Sequence, residues 1–275
     1  MSRSALKNIF RMVEQTQNES PVEQQFLADL ERSIEIQAKK ESRLPSQTYK
    51  PSSMNCIRNM YFQVKGEKPD EDEPSYAIVG ICNSGSDIHQ RIQQAVLDMM
   101  SNGMDCEYIN VAEYVKQRNL EHLDVVLEPD FEHGSYETKL FDKSRNISFL
   151  CDGIIKYKSK YYILELKTES VNKFMERKAV DPKHYMQGTA YSTIFGIESV
   201  IFVYINRDVL SMKSYMFTPT DEQREFFEGQ IMTCDTYISQ NQVPPMPDNA
   251  GPKLCNYCGY KTVCKLSNSV IPPLI

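Results

Sequence analysis

Apolar residues recur at helical spacing through most of the first third of the chain. They do so over residues 4–15, and again from Pro21 through Phe26, Leu27, Leu30 and Ile34, which predicts two helices near the N-terminus. Residues 45–53 are polar with two prolines and read as a loop; residues 56–64 resume as a short helix. The acidic run over residues 67–73 reads as a solvated loop. Residues 84–100 form an amphipathic pattern whose buried stripe is Ile88, Ile92, Ala95, Val96 and Met99, and residues 109–119 predict a further helix. The period then falls to two. Residues 123–127, 136–141, 147–157 and 161–168 read as successive strands, three of them antiparallel. A helix over residues 181–195 has Asp181 as N-cap and Pro182 at its first position, with Gly196 ending it. Strands over residues 200–205 and 214–217 follow, then a capping box, Thr220-x-x-Gln223, opens a helix to about residue 239. From Val243 the chain is rich in Pro, Gly and Cys and reads as a loop-like tail. This order predicts one α/β domain with a small module made from both chain ends.

At 275 residues the chain can bury a substantial core, and its 41% hydrophobic and 25% charged content suit a globular protein. No stretch reaches the roughly 18 apolar residues of a membrane span, and the N-terminus lacks a signal-peptide pattern. A cytoplasmic protein without a membrane partner is therefore expected. The net charge of −6 argues against nucleic acid, but its distribution points the other way. Residues 139–183 hold eleven Lys or Arg against six Asp or Glu, a local +5 that leaves −11 for the rest. Phosphate attraction needs such a concentration.

The segment 148–167 carries the densest chemistry. Asp152 lies on one predicted strand and Glu165-x-Lys167 on the next, joined by a polar tip at Lys158-Ser159-Lys160. Alternation puts Glu165 and Lys167 on one face, about 7 Å apart, with Leu164 and Leu166 turned into a core. Two carboxylates and an ammonium on one surface suit a divalent cation, Mg²⁺ or Mn²⁺, and a water to be activated. Lys167 could orient or deprotonate that water, or neutralise charge on a phosphate. His89 stands where the apolar stripe of its helix ends, within reach of such a metal. Gln187 and Tyr191 are four residues apart on one helix face, with His184 a turn earlier, a spacing that suits contact with a phosphate backbone or a base.

Eight cysteines without an export signal do not suggest a disulfide framework. Cys82, Cys106, Cys151 and Cys234 sit singly and read as buried free thiols. Cys255-x2-Cys258-x5-Cys264 is poised for a metal, with Cys56 the candidate fourth ligand. Joining them would close a loop of about 200 residues, stabilising the fold by an amount on the order of 5 kcal/mol. Spacing alone leaves an iron–sulfur cluster and Zn²⁺ both open.

Taken together these residues resemble the RecB-like branch of the PD-(D/E)xK nucleases, and within it the iron–sulfur CRISPR-associated exonuclease family and its phage-encoded relatives. The resemblance covers roughly residues 50–266. Ser52-Ser53-Met54-Asn55-Cys56-Ile57-Arg58 is similar to the family's opening Ser-Ser-x-x-x-Cys-x-Arg, with a spacer one residue shorter. The helical Gly-x-x-x-His motif falls on Gly85 and His89. The remaining motifs fall in order on Asp152, Glu165, Lys167, Gln187, Tyr191 and the three C-terminal cysteines. A glycine often found three residues before the motif Asp is Phe149 here.

The resemblance implies a restriction-endonuclease-like mixed β-sheet flanked by helices, over residues 46–275, preceded by an N-terminal helical extension over residues 1–45. It implies Mg²⁺ or Mn²⁺ on His89, Asp152, Glu165 and the Leu166 carbonyl, with Asp152, Glu165 and Lys167 catalytic. It further implies a [4Fe-4S] cluster on Cys56, Cys255, Cys258 and Cys264, and DNA contacts from Gln187, Tyr191 and Arg58. The implied activity is a deoxyribonuclease acting from single-stranded DNA ends, often 5′-to-3′, in a recombination, replication or CRISPR adaptation setting. The alternative is a non-cleaving DNA-binding or adaptor subunit with a structural metal on the four cysteines.

Overall fold

The structure is a computed structural model and describes residues 21–40, 46–70, 75–248, 250–256 and 258–268. The helix expected over residues 4–15 lies outside the described residues, as do residues 71–73 of the acidic run. The described chain divides into two units, residues 21–40 with 75–83, and residues 46–70 with 84–268. In the smaller unit, helix α1 (Pro21–Lys40) has Val22, Phe26, Leu27, Leu30 and Ile36 exposed. There Glu35 accepts a hydrogen bond from the Tyr76 backbone nitrogen at 3.1 Å.

In the larger unit Tyr49 is buried, bridges Ile147 in parallel and donates from its hydroxyl to Asp235 at 2.6 Å. Helix α2 (Ile57–Val64) follows Cys56. Helix α3 runs Tyr76–Leu97, longer than the apolar stripe predicts. Its stripe is Ile88, Ile92, Val96 and Met99; Ala95 is exposed and does not belong to it. The helix expected over residues 109–119 is a strand, β1 (Cys106–Ile109), and a shorter helix, α4 (Val111–Gln117). Asn110 separates them because its side chain caps the helix, accepting from the Glu113 backbone nitrogen at 3.1 Å.

Next come β2 (Leu123–Leu127), β3 (Thr138–Asp142), β4 (Ile147–Cys151), β5 (Gly153–Tyr157) and β6 (Lys160–Glu169). The single strand expected over residues 147–157 is thus two, broken at Asp152. β4 belongs to a three-stranded sheet ordered β2-β3-β4, whereas β5 joins a second sheet. Continuous apolar character on both sides of the break hides this switch from pattern alone. After β6 come α5 (Val171–Glu176), a turn capped by Asp181, α6 (Tyr185–Phe195), β7 (Val200–Asn206), β8 (Met212–Phe217) and α7 (Asp221–Ser239). Gly196 closes α6 in the left-handed region at φ 65°. The Thr220–Gln223 capping box is present at the start of α7. The tail is less loop-like than its composition predicts, containing α8 (Pro252–Cys255) and α9 (Lys261–Asn268).

The five-stranded sheet is ordered β1-β5-β6-β7-β8; β6 and β7 are parallel, the other pairs antiparallel. A parallel pair needs a crossover, which α5 and α6 supply. Alternation then sorts the two faces. Ile154, Ile163, Phe202 and Tyr204 pack with α6 and α7, while Ile155, Leu164, Leu166 and Ile205 pack with Ile88 of α3. The result is a mixed sheet flanked by helices on both faces. No described helix is long and apolar enough to cross a membrane.

Candidate metal centre and cysteine cavity

The break at Asp152 builds the site. β5 pairs with β6 only as far as Gly153 opposite Leu164, so the rest of β6 has an open edge on that side. Asp152 fills the gap, its Oδ2 accepting from the Leu166 backbone nitrogen at 2.7 Å. Because N–H and C=O of one strand residue project to the same edge, the Leu166 carbonyl is directed to this edge too. The Asp152 carbonyl is itself held twice, by Tyr108 Oη and by Gln93 Nε2, both at 2.7 Å. Gly153 makes the first contact achievable, since a Cβ there would come within 2.8 Å of the Tyr108 ring. Gln93 is 1% exposed and lies one turn beyond His89, so the bond that docks α3 also fixes the imidazole. Gly85 brings the same helix close to β6; a Cβ there would be 3.3 Å from Thr168 Oγ1.

His89 Nδ1 lies 3.6 Å from Asp152 Oδ1. A third candidate ligand joins them that motif spacing does not reveal. Ligating atoms of His89, Glu137 and Asp152 all lie within 4.8 Å of one another. The hairpin register explains why: the last ladder pair of β3 and β4 is Thr138 opposite Cys151, so Glu137 falls opposite Asp152 one step further. Like charges facing each other across strands are destabilising, and a cation removes that penalty. Imidazole and carboxylate oxygens form a donor set suited to Mn²⁺ or Mg²⁺.

Glu165 is 3% exposed and stands beside this group without belonging to the trio. Its Oε1 accepts from Lys167 Nζ at 2.5 Å and from Gln187 Nε2 at 2.7 Å. Lys167 also donates to Gln187 Oε1 at 3.0 Å. Burial pushes Glu165 up to about 7, against the opposing pull of the Lys167 ammonium, with the Asp152 charge adding to the rise. Burial draws Lys167 down, but the Glu165 and Asp152 carboxylates more than offset it and the net displacement is upward. For His89 the same contest also ends upward, burial being outweighed by Asp152.

Gln187 and Tyr191, whose spacing suggests contact with DNA, bond to each other and to interior groups. Both are buried; Gln187 Nε2 donates to Tyr191 Oη at 3.0 Å, and Tyr191 donates to the Leu150 carbonyl at 3.0 Å. They fix Glu165 and Lys167 instead. His184 bonds elsewhere, stacking on Phe202 with its Nδ1 2.9 Å from Tyr204 Oη.

Arg58, expected at DNA, is likewise buried. It is 2% exposed and donates to the carbonyls of Pro244 and Cys264, both at 3.0 Å, so its guanidinium ties α2 to the tail and presents no surface to DNA. Its neighbour Asn59 donates from Nδ2 to Cys258 Sγ at 3.5 Å. Cys56, Cys255, Cys258 and Cys264 line one cavity of about 320 Å³ together with Phe62, and all four are half-buried. Burial raises the Cys56 thiol, and Cys258 and Cys264 add to the rise despite backbone hydrogen bonds that lower it. Of the four single cysteines, Cys106, Cys151 and Cys234 are buried as expected, but Cys82 is exposed.

No protein-family model and no curated protein matches the chain. Similar solved structures include the crystal structure of SSO0001, 18% identical with a TM-score of 0.45, over 88% of this chain and 97% of that one. Another is an alkaline exonuclease (LHK-Exo) from Laribacter hongkongensis, 11% identical with a TM-score of 0.36, over 72% of this chain and 90% of that one. Neither TM-score reaches 0.5.

Proposed function

We propose that this chain is a divalent-metal-dependent deoxyribonuclease that hydrolyses phosphodiester bonds, acting as an exonuclease preferentially on single-stranded DNA ends, with 5′-to-3′ polarity favoured. The observation that carries the reading is the meeting of His89, Glu137 and Asp152 beside the Glu165–Lys167 pair. The trio and Glu165, with the Leu166 carbonyl, are the groups to hold Mg²⁺ or Mn²⁺. When bound, such an ion supplies Lewis-acid charge to a phosphoryl oxygen and lowers the pKa of a water. The protein's part is placement. Asp152 is anchored through both its carboxylate and its carbonyl, and Gln187 and Tyr191 hold Glu165 in line with the metal edge. Lys167 already donates to two acceptors, as an ammonium does, which favours charge neutralisation at the phosphate over deprotonation of water.

The reading includes a structural [4Fe-4S] cluster on Cys56, Cys255, Cys258 and Cys264. Four thiols around one cavity fit a group held by four thiolates. A tetrahedral zinc site with Zn–S near 2.3 Å would hold its sulfurs about 3.8 Å apart. Metal content separates the two groups. Anaerobically purified protein should be brown and carry about four irons per chain. Stoichiometric zinc in a colourless sample would overturn the cluster without touching the nuclease reading.

The deciding experiment is digestion of end-labelled linear single-stranded and duplex DNA, and of circular single strands, with each divalent metal. The expected result is metal-dependent loss of linear single strands that Asp152→Ala, Glu165→Ala and Lys167→Ala each abolish in folded protein. Full activity in Glu165→Ala would end the proposal. Tight binding of single strands without cleavage in Mn²⁺ would replace it with the adaptor reading.

A further inference from the structure

Beyond Lys167 the surface of the larger unit opens into a second, smaller pocket of about 110 Å³. Lys167, Lys173, Lys183 and Arg207 all line it. Three chain segments bring them together: Lys173 from α5, Lys183 from the turn before α6, and Arg207 from the residue that follows β7. The base of Arg207 is fixed, its backbone nitrogen donating to the Glu169 carbonyl at 3.0 Å.

The lining also holds one carboxylate, Glu169, which does not neutralise these cations. Its two oxygens are taken by Arg177, at 2.9 Å from Nε and at a short contact from Nη2. Lys183 approaches Asp181 only at 3.7 Å. The side chains of Lys173 and Arg207 have no hydrogen-bond or ion-pair partner among the described residues. Two uncommitted cations and a loosely paired third, in a cavity a few atoms across, hold positive charge that nothing in the fold requires. The field is felt by the neighbouring His184: burial first, then Lys167 and Lys183, push it down to about 3. Ser170 adds a hydroxyl to the wall.

We propose that this pocket binds a phosphate of the DNA strand next to the linkage being cut, with Lys173, Lys183 and Arg207 as its ligands and Lys167 as the wall it shares with the metal centre. The inference rests on the nuclease reading and deepens it. A phosphate seated here fixes the strand's register against Glu165 and Lys167, so the pocket decides where along the strand the cut falls. Two sources offer the same chemistry, a terminal phosphate monoester or an internal phosphodiester.

The test is fluorescence anisotropy of single-stranded oligonucleotides on full-length Glu165→Gln protein in Ca²⁺, across a salt series, with 5′-phosphate and 5′-hydroxyl ends in parallel. For single strands, removing one phosphate from the neutralised set lowers the slope of log affinity against log salt by about 0.7. Lys173→Ala/Arg207→Ala should lower the slope by that amount, Lys173→Arg/Arg207→Lys should preserve it, and the equally charged Lys65→Ala/Lys116→Ala pair should leave it unchanged. A loss confined to the 5′-phosphate arm identifies a terminal phosphate as occupant; equal loss in both arms identifies an internal one. An unaltered slope in both arms, or the same loss from the control pair, would overturn the pocket while leaving the nuclease reading intact. Absence of any DNA binding by the parent protein would overturn both.

Discussion

Glu137 faces Asp152 one step beyond the last ladder pair of β3 and β4, so that two carboxylates of neighbouring strands meet beside His89. Opposed like charges are retained at a cost, and the cost disappears when a cation is bound. Glu137→Gln should therefore weaken Mn²⁺ binding. Loss of an outer-shell partner alone costs about 10–100-fold in metal affinity, so loss of a direct ligand should cost at least tenfold. A Mn²⁺ titration followed by electron paramagnetic resonance checks this, with His89→Ala as the parallel case. Wild-type affinity in Glu137→Gln would remove Glu137 from the centre.

Asp152 has two separable duties. Its Oδ2 satisfies the Leu166 N–H, and in the proposed function its carboxylate charge serves the cation. An amide oxygen can still accept that hydrogen bond, so Asp152→Asn should keep stability and lose Mn²⁺ binding. Asp152→Ala should lose both, since a buried N–H left unpaired costs about 1–3 kcal/mol. Relief of repulsion from Glu137 and Glu165 offsets part of that penalty. Denaturant midpoints of the two variants should differ with Asn the more stable; equal midpoints would refute the anchoring role.

Gln187 offers a test between positioning and DNA contact. Its amide joins Glu165, Lys167 and Tyr191, and it is buried. Gln187→Leu should lower turnover by about 10–100-fold, as loss of a ligand-orienting partner does. Affinity for single-stranded DNA should be unchanged. A variant that loses DNA affinity at full turnover would restore the contact role.

Much of this arrangement is legible in the chain because period-two alternation is local. It places Glu165 and Lys167 on one face and Leu164 and Leu166 on the other, and the structure has them so. The switch at Asp152 is not legible, because residues on either side of it are equally apolar and only non-local pairing tells β4 from β5. Glu137 escapes motif spacing although a signal exists. Once residues 136–141 and 147–157 are paired as a hairpin, the register sets 137 against 152. Gln187, from its spacing, and Arg58, from the resemblance, are expected at DNA, and pattern does not reveal the buried acceptors that tertiary packing gives them. Gln93 and Tyr108 carry no sequence signal, since both act through a backbone carbonyl.

His184 supplies a prediction about stability that is independent of the metal. Burial, followed by the charges of Lys167 and Lys183, holds its pKa near 3, whereas an unfolded histidine titrates near 6.5. The folded state therefore binds fewer protons than the unfolded state between those values. The stabilisation is fully present above about pH 6.5 and is lost as pH falls toward 3, with a limiting slope of about 1.4 kcal/mol per pH unit. His184→Gln removes the titration. Its hydrogen-bonding amide can still meet Tyr204 Oη, which accepts from or donates to His184 Nδ1 at 2.9 Å. Urea midpoints of this variant should decline less steeply than those of the parent between about pH 6.5 and 4. The two should converge at the acid end, where the parent has lost the advantage of a neutral imidazole. Parallel pH profiles for parent and variant would show that His184 is protonated in the folded state and that its stacking on Phe202 does not exclude charge.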